Sequence, residues 1–175
     1  MQPIMYRASV QPFLMFLGNL SAILKKGAAH AEARKIEAHV LPHARLYPDM
    51  FPLTRQVQIA CDMAKRGCAR LAQAEAPVHE DKETTFAELQ ARIASTVAFI
   101  KSLKPEAFAG AEGRNVTIEV GREREKREIN GAAYLFDYAF AHFYFHVTMT
   151  YAILRENGVE LGKADFVMAP PKAGS

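Results

Sequence analysis

Two histidines, His142 and His146, stand four residues apart in the stretch AHFYFHVTMTYAILRENG. On a helix they lie one turn apart and can present two imidazole nitrogens to a single divalent ion, the spacing of His-x-x-x-His metal sites. The same pair can instead be core histidines bonded to hydroxyls or carboxylates of facing helices, because a buried ring left unpaired costs about 1–3 kcal/mol. The residues alone leave both readings open. Other chemistry is thinly represented. Cys61 and Cys68 are seven residues apart in what reads as one helix, so roughly 10 Å of axial rise keeps them from a disulfide. They share a face with Val57, Ala64 and Leu71, which makes them reduced core thiols of little reactivity. No Gly-rich phosphate loop, Ser-His-Asp arrangement or Cys-x-x-Cys pair is visible.

The elements that must carry these residues follow from periodicity. Val10, Phe13, Leu14, Leu17, Leu20, Ile23 and Leu24 recur at threes and fours and predict a first helix from Tyr6 to about Lys26. A long connection with a short helical piece near Ile36 follows. The second helix is expected from near DMFPLTRQ to Gln73, with Asp49 as cap, Phe51 as a core staple and Pro52 in the first turn. Thr85 and Glu88 have capping-box spacing ahead of a third helix that ends before Pro105. Val116, Ile118 and Val120 alternate with polar residues, so NVTIEVGRE predicts a strand turning at Gly121 into an exposed return strand, REREKREI. The last helix runs from Asn130 to Asn157 and Gly158. Its wheel shows a narrow polar strip of Asp137, Tyr144, Thr148, Tyr151 and Arg155, which points both histidines into the bundle. The sum is one mainly α domain over residues 1–166, a four-helix bundle with a small β-hairpin before the last helix, and a flexible tail over 167–175.

Composition sets outer bounds. Twenty-two basic and 19 acidic residues are interleaved, and the run GREREKREING alternates in sign, so it reads as a solvated face and no basic stripe for nucleic acid appears. No stretch has the apolar length of a membrane span, and the start lacks a signal-peptide layout, which predicts a cytoplasmic protein without membrane contact. Tyr6, Tyr144 and Tyr151 could line a pocket, though such tyrosines are ordinary at the edge of a core or a dimer contact.

The segments ASVQPFLMFLGNLSAILKKGAAHAEARKI, ARLYPDMFPLTRQVQIACDMAKRGCARLA and FYFHVTMTYAILRENGVELGKADF resemble a bacterial domain-of-unknown-function family of the DinB-like, YfiT-like superfamily. The resemblance implies an up-down-down-up bundle, a homodimer, and a divalent metal held by three histidines, one from the second helix and two in His-x-x-x-His spacing from the last. His142 and His146 match the second half of that pattern. The first half is missing, since the second helix has no histidine. There Gln58 and Asp62 are the polar candidates, and Asp62 is the expected third ligand for zinc, nickel or manganese, set against its position well off the apolar stripe, where a solvated or flank-paired carboxylate would sit. His43, in the preceding loop, could swing over the bundle end or simply be exposed. Two functions are therefore expected: a metal-dependent enzyme of thiol-transferase or hydrolase type, or a metal-free module that binds a small molecule within the bundle or serves as a dimeric interaction domain.

Overall fold

The first helix, α1 (Ile4–Ala33), buries Phe13, Leu17, Leu20, Ile23 and Leu24 along one stripe. It outruns its predicted end at Lys26 because the continuation GAAHAEA is rich in alanine, the best helix former. Gly27 fits there because α1 runs close against Phe86 and Leu154, and a Cβ would meet both at 3.1 Å. The structure is a computed structural model describing residues 2–121 and 123–167; the tail from residue 168 lies outside the described residues. A turn at Arg34–Lys35 and the short helix α2 (Val40–His43), past the Ile36 where a helical piece was expected, lead to α3 (Leu53–Ala72). Two expectations fail at this entry. Asp49 makes no cap bond, since Pro52 is the N-cap and no side chain caps α3, and Phe51 is 54% exposed. The PDMFP turn is held instead by Arg45, whose guanidinium donates to Pro48 O and Met50 O at 3.2 Å.

Helix α4 (Phe86–Ser102) opens on the predicted capping box, with Thr85 accepting from Glu88 N and Glu88 accepting from Thr85 N at 2.9 Å. Two short 3₁₀ turns then feed β1 (Asn115–Val120), which pairs antiparallel with β2 (Glu125–Asn130) in the register Asn115↔Asn130 to Val120↔Glu125. Val116 and Ile118 face the bundle, and β2 is exposed as expected. Asn130 caps the last helix by accepting from Ala133 N at 2.9 Å. That helix comprises α5 (Gly131–Ala133), a π-helical turn over Tyr134–Ala139, and α6 (Phe140–Glu156), without a break. A short α7 (Lys163–Phe166) folds back on α1, where Asn19 donates to Phe166 O.

Residue pairings give the helix directions. Phe13 meets Phe140 and Phe143 while Gly27 meets Leu154, so α1 and α6 run parallel. Gln56 meets His146 while Gly67 approaches Ala139, so α3 opposes α6. Gln90 bonds Ser21 and Phe86 lies under Gly27, so α4 opposes α1. The order is up-down-down-up, with a mainly apolar core shared by all four helices. Among the described residues, no helix is long and apolar enough to cross a membrane.

Candidate functional site

His146 is buried on α6, and its Nδ1 lies 2.7 Å from Oε1 of Gln56, near the start of α3. The proton between them can be placed by argument. Gln56 donates its amide nitrogen to Phe51 O at 3.1 Å, which turns its carbonyl oxygen toward the ring. A carbonyl only accepts, so His146 carries its proton on Nδ1, and Nε2 keeps a lone pair. Burial first, then the neighbouring His142 and Arg55, hold the imidazole uncharged down to about pH 4. The sequence could have shown Gln56, since it occupies the buried stripe of α3 between Leu53 and Ala60, a polar residue where the period calls for an apolar one.

His142 lies elsewhere. It is exposed on α6 with its ring centroid 4.5 Å from that of Tyr138. The expectation that both histidines point inward holds for His146 and fails for His142. Its physical reason lies on the solvent side of the wheel: Ala141 and Phe145 are exposed, so the wet face is wider than the polar strip alone and is centred closer to His142.

Asp62 is committed to cations. Its carboxylate meets Arg92 at 2.9 Å, Lys65 at 3.0 Å and Arg66 at 3.2 Å, which is the flank-paired alternative. This network crosses from α3 to α4 and on to the 74–85 loop, where Arg92 also meets Asp81 at 2.7 Å and Glu83 at 3.0 Å. Lys65 and Arg92 are themselves buried. Lys65 donates to His79 Nδ1 at 2.8 Å, which leaves His79 Nε2–H to donate to Ser95 Oγ at 3.2 Å. Desolvation, Lys65 and Arg92 together hold His79 below the usual imidazole range. Gln58 is drawn into the same network, accepting from Arg55 and donating to Glu83. Lys65 and Arg92 were missed in the sequence although each breaks an apolar stripe, at Cys61–Ala64–Cys68 and Leu89–Ile93–Ile100.

Among the described residues, no three His, Cys, Asp or Glu side chains come together as a metal cage. The donor chemistry agrees: His142 faces solvent and the Asp62 charge is balanced by three cations, so His142, His146 and Asp62 do not meet around a shared ion. His43 bonds back to His39 O at 2.7 Å within its own turn. Cys61 and Cys68 are free and buried, and burial pushes both thiols up to about 12, so neither is a nucleophile at neutral pH. Tyr144 and Tyr151 edge an aromatic cluster with Phe16 and Phe166.

A mainly α, up-down-down-up bundle with a hairpin before its last helix is the arrangement of a DinB-like protein. The chain belongs to the DUF1993 family, a domain of unknown function whose model matches residues 5–167. The crystal structure of a DinB family member from Shewanella denitrificans is similar at 41% sequence identity and a TM-score of 0.88, over 97% of this chain and 95% of that one. The family resemblance and fold expected from the sequence are thereby borne out. A search of curated proteins finds no match.

Proposed function

We propose that this protein acts as a metal-free, small-ligand-binding bundle of the DinB-like kind. The observation that carries this reading is the dispersal of the expected donors: His142 faces solvent, and His146 meets α3 at the Gln56 amide, 2.7 Å away, rather than at a carboxylate or imidazole. Helix α3, from which the third metal donor is required, meets the histidine with a neutral amide, and among the described residues no group of three His, Cys, Asp or Glu forms around it. Asp62, the one carboxylate of that helix, is occupied by Lys65, Arg66 and Arg92. His146 then serves as a polar latch between α3 and α6, satisfied by one hydrogen bond worth about 1 kcal/mol net.

A second reading, a divalent-metal enzyme of thiol-transferase or hydrolase type, draws on the His-x-x-x-His spacing and on the unprotonated Nε2 of His146. An ion there would lower the pKa of a bound thiol or water. Metal analysis of untagged protein, beside the His142→Ala/His146→Ala double variant, separates the two. The expected result is substoichiometric zinc, nickel and manganese in both proteins, with no rise in melting temperature when each ion is added. One ion per chain, lost in the double variant, would overturn the metal-free reading.

A further inference from the structure

The hairpin, α3 and the π-helical turn enclose a cavity of about 300 Å³ with Arg66, Arg70, Arg124, Lys126, Tyr134 and Tyr138 in its wall. Among the described residues, Glu119 is the one carboxylate in the wall. Two of the cations are engaged, Arg66 with Asp62 at 3.2 Å and Arg124 with Glu119 at 3.4 Å. Among the described residues, Arg70 and Lys126 have no carboxylate partner within 4.0 Å. Cations gathered this closely repel one another unless an anion lies between them.

The wall is also pre-arranged. Arg70 sits 5.4 Å over the Tyr134 ring and donates toward the Tyr134 hydroxyl at 3.4 Å, so its guanidinium is held by a cation–π contact and a long hydrogen bond. Tyr134 is 1% exposed, and burial raises its phenol above the ordinary range, so it edges the cavity as a neutral phenol. The rings of Tyr134 and Tyr138 stack with centroids 6.0 Å apart and planes 24° apart. They are i,i+4 neighbours on one face of the π-helical turn, and such turns recur at functional sites. Basic groups that looked like part of an alternating, self-cancelling run in GREREKREING are thus joined by two arginines from a different element.

We propose that this cavity binds a small phosphate monoester, with Arg70 and Lys126 holding the phosphate and the Tyr134–Tyr138 stack flanking its organic part. A dianion matches the two cations without a carboxylate partner, Arg70 and Lys126, better than a monocarboxylate does, and a planar guanidinium fork suits phosphate oxygens. The volume lies at the lower end of ligand sites, about 300–1,000 Å³, so the ligand is smaller than a nucleotide. This inference gives the ligand-binding reading a ligand class and rests on it for its biological sense. Metal content decides that reading, whereas the titration below decides this one.

The test is calorimetric titration of the full chain at low salt with phenyl phosphate, inorganic phosphate and benzoate, repeated on Arg70→Met and Lys126→Met, each checked for native helicity. Phenyl phosphate is expected to bind with a Kd on the order of 100 µM, at least about tenfold weaker in each variant, and to weaken as salt rises. Inorganic phosphate should bind more weakly because it cannot use the tyrosines. Absence of binding at about 10 mM phenyl phosphate, or equal affinity in the wild type and both folded variants, would overturn the site. Benzoate binding as tightly as phenyl phosphate would overturn the phosphate assignment.

Discussion

His146 illustrates how one buried ring can set an acid limit. In the unfolded chain its pKa is about 6.5, and in the fold it falls to about 4. The unfolded state therefore takes up the proton first. The stabilising contribution of the neutral ring is complete above about pH 6.5 and is lost as pH falls from 6.5 toward 4, by up to about 3 kcal/mol. His79 shifts in the same direction and adds to the slope. Urea unfolding at pH 7 and pH 4.5 should show the wild type losing stability, and His146→Gln losing less over the same interval. Equal losses would remove His146 as a cause. At this scale the sequence was half legible. It showed the histidine pair, but not that exposed Phe145 and Ala141 move the solvent face toward His142. It also held Gln56 in plain view on the apolar stripe, two residues before Gln58, the amide expected to matter.

The elements themselves were easier to read, because period and punctuation report directly on backbone geometry. The Thr85–Glu88 box, the Asn130 cap and the alternation of Val116, Ile118 and Val120 each name a local structure, and each forms as expected. The π turn left no such mark, since YLFDYA suits an α-helix equally well, and the end of α1 was masked by alanines that carry no stripe. The junction of hairpin and last helix offers a sharp test. A Cβ on Gly131 would run into the backbone oxygen of Ala111, and backbone has no rotamer with which to yield. Gly131→Ala should therefore destabilise the protein by about 1–3 kcal/mol or more, seen as a lowered urea midpoint. An unchanged midpoint would mean that the 3₁₀ turn at Ala111 can move aside freely.

Across the whole molecule, the 74–85 loop is tied to the bundle less by apolar burial than by charge. Arg92, 3% exposed, reaches Asp62 on α3 and both Asp81 and Glu83 in the loop. Removing it strands carboxylates that no longer have their central cation, and breaking a buried pair in this way costs about 3–5 kcal/mol. Arg92→Ala should lower global stability and bring proteolytic cutting into the 74–85 segment first; a variant as resistant as the wild type would show that the loop is anchored otherwise. The up-down-down-up order could be inferred from the long first connection and the resemblance, but this network could not, because it joins residues up to 34 positions apart and a wheel treats one helix at a time.

The two cysteines on the inner stripe of α3 carry a consequence of their own. Oxidants and electrophiles attack the thiolate, and here both thiolates are suppressed and both sulfurs lie in the core. Oxidation of these thiols is accordingly limited by how often the bundle opens, so that its reserve of reduced sulfur ages at the rate of opening.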